Sequence, residues 1–341
     1  MNIPGKKLLL RNEMMLVAAI LILSIVINIK SPGFYSFSTL FDLCRASYVQ
    51  LILGLGVLNV IISGGIDVSF PMVGIFSAYT TITIMDKLHF SQNGIIIPIL
   101  MAIVIGVILG GFNAFAIAVL GIPTLIATLG TAGIIRGLML AGVGSRLIQD
   151  LPNGLDHLAT STLIQIRNSG GTLSRLHLLI IPISILVLAL GWILRRTIFG
   201  RSIYALGGGI ESARRLGIPT KKLQVRIYLL VGGLAGLGGL MSVVLARQAD
   251  PYSLAGSELD TIAAVVLGGA SIAGGYGSVF GTVLGVFLIA LIRDNLILLG
   301  ISGSWERAAV GALLIIGIVT QAFIRKMKKR ETQESHAEVQ K

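Results

Sequence analysis

Stretches of apolar residues, each about long enough to cross a bilayer, recur along almost the whole chain, and no other feature limits its fold so severely. About 20 such residues span the hydrocarbon core as a helix. The runs lie near 14–29, 47–63, 66–85, 95–120, 122–142, 178–194, 227–246, 259–273, 277–293 and 306–324. The first is short, but Leu8–Leu10 extend it. Gly274, Gly275 and Gly277 make the eighth and ninth the hardest to separate: they join two short helices or form a re-entrant turn. Charged residues make up only 12% of the 341, too few to coat a soluble fold of this size. The fold class implied is an all-α polytopic membrane protein of about ten helices, in one domain over 1–341, with two inverted five-helix repeats as a further possibility. A soluble enzyme, a disordered chain and a collagen-like fibre are excluded.

The net charge of +12 is not spread over a surface. Of 27 Lys and Arg, three lie in residues 1–13, eight in 195–226 and six in 325–341. Nucleic-acid surfaces interleave aromatics with basic residues; these clusters instead flank apolar runs, as cytoplasmic loops do and as contact with anionic lipid headgroups favours. Ten spans put all three clusters on one side, with both termini cytoplasmic. The apolar stretch after Lys6, Lys7 and Arg11 lacks a small-residue cleavage site and reads as an uncleaved first helix. The opposite face receives a loop near 143–177, long enough for a short surface helix.

Enzyme signatures are missing from the sequence. There is no phosphate-binding G-x-x-x-x-G-K-[ST] loop, and one cysteine, Cys44, makes neither a disulfide framework nor a thiolate metal site. His89, His157, His177 and His336 are scattered and read as solvated loop or tail residues. No metal site and no resident cofactor are expected.

Polar residues inside the apolar runs are the candidates for function, because burying them in lipid is costly. Asp67 follows Gly64-Gly65 and precedes Ser69 and Pro71, so it is either a helix N-terminal cap or a gating group. Asn113, Thr128 and Arg136 are the other pathway or gating candidates; Arg136 alternatively snorkels to the interface. Gly277, Gly281 and Gly285 recur at every fourth position and suit close helix packing. Short Gly-rich motifs, Ser63–Asp67 and Leu267–Ser271, hint faintly at internal duplication. Between the basic residues of 195–226, Ile210–Leu216 forms two helical turns closed by Gly217 and Pro219. This element is either a solvated connector or a dock for a soluble partner.

Several segments, in order, resemble the membrane permeases of bacterial ABC importers, in the branch serving ribose, other monosaccharides and autoinducer-2. They are Gly64-Gly65-Ile66-Asp67-Val68-Ser69, Ile122–Gly130 with Arg136-Gly137, Tyr204–Gly208 with Ala213–Ile218, and Ile262–Gly269 with Gly274-Gly275 and Gly277. The likeness runs from about residue 45 to 320. It implies that 195–226 is a cytoplasmic coupling loop, with Gly208, Glu211, Ala213, Arg214, Arg215 and Gly217 at the contact with an ATP-binding subunit. ATP and magnesium then belong to that subunit. The other implied partners are a periplasmic or lipid-anchored solute-binding protein and a second permease copy or sister permease. The implied setting is the bacterial inner membrane. The chain departs from the family pattern at Phe70-Pro71, Gly209 and Asn113-Ala114, which bears on the solute more than on the fold. Nucleosides and branched-chain amino acids are the alternative solutes, and an ion-coupled secondary transporter is the alternative mechanism.

Overall fold

The computed structural model describes residues 4–88, 94–167, 173–305, 307–312, 315, 317 and 319. In chain order the elements are α1 (Pro4–Lys30), α2 (Phe37–Ile62), α3 (Phe70–Lys87), α4 (Ile96–Ala114), α5 (Thr124–Leu138) and α6 (Asn153–Thr160). A hairpin of β1 (Thr162–Arg167) and β2 (Leu173–His177) follows. Next come α7 (Ile180–Arg196), α8 (Ile198–Gly208), α9 (Ile210–Arg215), α10 (Thr220–Ala246), α11 (Glu258–Leu267) and α12 (Val279–Asn295). Single π turns, Phe115–Val119 and Met139–Val143, extend α4 and α5.

Among the described residues five helical stretches are long and apolar enough to cross a membrane: Glu13–Lys30, Phe37–Ile62, Ile96–Val119, Thr124–Val143 and Thr220–Ala246. Helices α7 and α8, bent by 68° between Arg196 and Ile198, pass the same test only when taken together. The chain is thus an all-α membrane protein, and the two-stranded hairpin seen among the described residues lies in a connecting loop. Where a span was read at 259–273, helix α11 has ten residues, about 15 Å of rise; a non-helical stretch follows before α12. The last run, 306–324, lies largely outside the described residues, as do His89, His336 and the tail 325–341.

Local chemistry sets the helix ends. Ser36 caps α2 by accepting the Thr39 amide at 3.2 Å, and Thr197 caps α8 by accepting that of Gly200 at 3.1 Å. Ser278 caps α12 through the Gly281 amide at 2.9 Å and also donates to Glu13 of α1 at 2.6 Å. Pro71 sits in the first turn of α3, where no amide partner is required. Helix α9 stops where Gly217 turns back at φ 75°.

Helix α2 forms the middle of the bundle and is buried along most of its length. Against it, α10 lies with its backbone pressed onto α4 and α3. A Cβ at Gly232 would overlap the Gly106 carbonyl, one at Gly236 the Ala102 carbonyl, and one at Gly110 the Tyr228 carbonyl. On the neighbouring face, a Cβ at Gly74 would lie 2.8 Å from the Ala235 carbonyl, and one at Gly239 would overlap Gly74. Lipid gives helices little hydrophobic reason to associate, so such close backbone contact carries the packing. A second seam pairs Gly281 and Gly285 of α12 with Gly268 and Ala264 at the end of α11. Gly277, read as part of that face, instead precedes the helix and packs on Leu58 and Ile62 of α2.

The two ends of the bundle differ. At one end lie α8 and α9, the end of α2 and the start of α12. At the other lie α6, the β hairpin and the C-terminus of α10. There Arg247, at φ 55°, holds Asp156 of α6 with two hydrogen bonds, at 2.9 and 3.0 Å. His177 corrects the reading of a solvated histidine. It is buried, its Nδ1 accepts from the Leu179 amide at 3.1 Å, and Nε2 lies 3.1 Å from the Ala159 carbonyl. Burial pushes its pKa below the usual imidazole range. His177 ends β2, where its burial breaks the alternation that turns Ser174 and Leu176 inward and Arg175 outward.

Neighbouring glycines of α4 separate packing from propensity. Gly110→Ala drives a methyl into the Tyr228 carbonyl, whereas Gly111→Ala meets only Leu229 at an ordinary 3.7 Å. Gly110→Ala is expected to lose about 1–3 kcal/mol or more, with Gly111→Ala neutral or slightly stabilising. Thermal unfolding of the two variants in one detergent checks it.

Candidate coupling and gating site

Between α2 and α3 the chain leaves helical geometry for residues 63–69, inside the bundle. Backbone that cannot pair with itself or with water must find partners among side chains. Those partners come mainly from α5. The Ile66 amide donates to Thr124 Oγ1 at 3.1 Å, and the Val68 amide to Thr128 Oγ1 at 3.3 Å. The segment therefore runs along the first turns of α5, one threonine per two residues. Gly65 fits because Val60, Thr124 and the Tyr228 hydroxyl leave a side chain little room.

Asp67 is buried and its Oδ1 accepts from both the amide and the hydroxyl of Ser69, each at 2.7 Å. It closes a turn two residues long ahead of α3, while Ser69 holds the capping position itself. Asn113 of α4 completes the chain by donating to Ser69 Oγ at 2.7 Å. The structure thus brings Asp67, Asn113 and Thr128 around one segment. Arg136 is not with them: it projects from the exposed face of α5, beyond Gly133. Two buried polar atoms, Asn113 Oδ1 and Tyr228 Oη, have no hydrogen-bond partner among the described residues. Tyr228 and Ser69 belong to this cluster but were not singled out from sequence. A tyrosine within a glycine-rich apolar run was the available signal, since its hydroxyl must be accommodated somewhere.

The same segment touches α8. Gly64 turns back at φ 86° and Gly274 at φ 85°, and both face Gly207 of α8. The Gly275 amide donates to the Ile62 carbonyl at 2.8 Å, tying the 268–278 stretch to the end of α2 just ahead of residue 63. A Cβ at Gly207 would overlap the Ile62 carbonyl and the Gly275 amide. Tyr204 adds a hydrogen bond from its hydroxyl to the Gly277 carbonyl at 2.9 Å. Helix α8 is therefore wedged against both the 63–69 and 268–278 segments through bare backbone.

Beyond α8, the short α9 turns its charges outward. Ala213 is buried, whereas Glu211, Arg214, Arg215, Gly208 and Gly217 are exposed. Glu211 and Arg214 pair at 3.0 Å with both side chains mostly in the open, which adds little stability. Leu216, beside them, is 74% exposed. A charged surface with an apolar knob, seated on a buried alanine, is suited to protein contact rather than to chemistry. Among the described residues, no group of three His, Cys, Asp or Glu is placed to hold a metal ion.

Comparison with known proteins places this geometry in context. Residues 39–318 match the family described as "Branched-chain amino acid transport system / permease component". A permease of Yersinia pestis (strain Pestoides F), "Autoinducer 2 import system permease protein LsrC", is 32% identical over 316 residues, 93% of this chain and 86% of that one. The protein of the same name from Yersinia pseudotuberculosis serotype O:3 (strain YPIII) is 31% identical with the same coverage.

The threonine contacts have a direct test. Thr128→Val keeps the shape but leaves the Val68 amide without its acceptor, a loss of about 1–3 kcal/mol. A lowered unfolding midpoint is expected, and Thr131→Val, whose hydroxyl bonds the Ala127 carbonyl of its own helix, serves as the comparison.

Proposed function

Because this chain belongs to the family of permease components of branched-chain amino acid-type transport systems, we propose that it forms the translocation pathway for a monosaccharide-like solute and takes its drive through α8 and α9. The chain is the permease of a binding-protein-dependent ABC importer, a multi-pass inner-membrane protein and not itself an enzyme. The observation that carries the proposal is the seating of α8 by Gly207 against the two non-helical segments, with α9 displayed beyond it. A push on α9 reaches residues 63–69 across the single residue Gly209 and the Gly207 contact of α8, and from there the Thr124 and Thr128 contacts reach α5.

Under this reading an ATP-binding subunit, which carries ATP and magnesium, docks on Glu211, Arg214, Arg215 and Leu216. A periplasmic or lipid-anchored binding protein delivers solute at the opposite end, and a second permease copy or sister permease completes the pathway. Asp67, Asn113 and Thr128 position the 63–69 segment, and Arg136 faces the partner permease or lipid. The cytoplasmic side is the α8–α9 end, where Arg195, Arg196 and Arg201 cluster. Ten spans follow if α3, α11 with its glycine turn, α12 and the run at 306–324 each cross. Two inverted five-helix repeats belong to the proposal, suggested by the short motifs Ser63–Asp67 and Leu267–Ser271. The monosaccharide-like solute rests on the ordered motifs of the sequence, and the relatives that match over nearly the whole chain are named for autoinducer 2 import.

Exchanging the pair, Glu211→Lys with Arg214→Glu, keeps an ion pair on α9 but reverses its charge pattern. Wild-type permease purified in mild detergent is expected to bring down an ATP-binding subunit, and the exchanged variant to lose it, as read by mass spectrometry. Absence of that subunit from the wild type in several detergents contradicts the proposal.

A further inference from the structure

A groove of about 410 Å³ lies between α7 and the first turns of α12, at the end of the bundle where α8 begins. Leu188, Gly191 and Trp192 line one wall, and Val279, Phe280 and Val283 the other. On α7 the lining positions recur at i, i+3, i+4 and i+7 from Leu188 to Arg195, one stripe of the helix about 10 Å long. The stripe is apolar as far as Trp192 and ends in Arg195 and Arg196, the last turn of the helix. Gly191 leaves room in it: a Cβ built there meets only Val279, at a loose 3.9 Å. Leu188, Trp192 and Phe280 are each more than half exposed, so the groove is open to the bilayer. Both arginines are exposed, and among the described residues no carboxylate lies within ion-pair distance of either. Glu13 reaches the start of α12, but it accepts from Ser278, and no acidic residue lines the groove. The groove borders the coupling site without belonging to it: Tyr204 of α8 bonds the carbonyl of Gly277, the residue before the Ser278 cap.

We propose that this groove holds one anionic phospholipid of the cytoplasmic leaflet, its phosphate on Arg195 and Arg196 and an acyl chain along the apolar stripe. Two guanidinium groups side by side without a countercharge call for an anion, and their fork geometry matches phosphate oxygens. Every other lining residue is apolar or glycine, which calls for a hydrocarbon chain. An amphipathic molecule already in the bilayer meets both demands. A soluble phosphate leaves the stripe bare, and an apolar helix of a neighbouring protein leaves the arginines unpaired. Trp192, one turn from the arginines, stands where an indole N–H meets the interfacial level of a lipid. The headgroup then rests at the 68° bend through which α7 passes into α8. The choice of leaflet rests on the orientation in the importer reading; binding itself does not.

The test is native mass spectrometry of the purified full chain, titrated with phosphatidylglycerol and, separately, with phosphatidylethanolamine. Phosphatidylglycerol is expected to bind at least about fivefold more tightly, the effect of about one basic side chain at an anionic surface. Arg195→Gln with Arg196→Gln is expected to abolish that preference. Gly191→Leu, which fills the groove and keeps both charges, is expected to weaken phosphatidylglycerol binding at least about fivefold. Should Gly191→Leu not fold, Val283→Phe fills the groove from the other wall with the same result. Arg201→Gln, in the same basic segment but outside the groove, is expected to leave binding unchanged. Glycerol phosphate, a headgroup without chains, is expected not to displace the lipid. Equal binding of the two lipids overturns the assignment, as does binding unchanged by the arginine pair or by groove filling. An equal loss in Arg201→Gln, or displacement by glycerol phosphate, also overturns it. No ATP-binding subunit takes part, so failure here is distinct from failure of the importer reading.

Discussion

The close approach of α10 to α4 is the contact from which the rest of the bundle takes its geometry. With Gly232 and Gly236 on one helix and Gly106 and Gly110 on the other, carbonyl groups occupy the space where side chains would stand. In a membrane, where lipid tails are as apolar as leucine, this packing of backbone on backbone is a main source of helix association. It also sets Tyr228: the residue whose carbonyl meets Gly110 is the one whose hydroxyl lies beside Gly65. Gly239 then fixes α3 against the same helix. Volume added anywhere along this seam would move the floor on which the 63–69 segment rests.

That segment is the costly part of the design. Several residues of non-helical backbone lie buried, and the side chains of Thr124, Thr128 and Asp67 accept from the amides of Ile66, Val68 and Ser69, with Asn113 bonded in turn to the Ser69 hydroxyl. Satisfaction is incomplete at Asn113 Oδ1 and Tyr228 Oη. A cluster with acceptors left over can change partners more readily than one fully paired. Its neighbour on the other side is Gly207, so this segment sits directly against the helix that leads to α9.

Much of this was readable in the sequence, for physical reasons that differ from residue to residue. Apolar length and the grouping of basic residues gave the membrane class, because lipid imposes both. The helix expected from Ile210 forms as far as Arg215, since Gly217 and Pro219 stop it whatever surrounds it. Asp67, Asn113 and Thr128 stood out as polar residues in apolar runs, and they prove to be neighbours. Their convergence was not legible, because it depends on the path of a segment with no periodicity. Arg136 carried the same signal of polarity yet points away. Spacing by fours grouped Gly277 with Gly281 and Gly285, but the pattern says nothing of where the helix begins, and Ser278 caps it one residue too late. His177 escaped notice because a histidine in a polar loop carries no mark of burial.

Gly207 tests the coupling account most directly, since its single missing side chain lets α8 rest on both non-helical segments. The measurement is solute uptake alongside ATP hydrolysis for the importer reconstituted with Gly207→Ala. An added methyl overlaps the Ile62 carbonyl and the Gly275 amide while leaving the exposed surface of α9 untouched. Uptake is expected to fall at least about tenfold, an interaction change of about 1.4 kcal/mol, with the ATP-binding subunit still bound and still hydrolysing ATP. Uptake at the wild-type rate, or loss of the subunit itself, would contradict transmission through this junction.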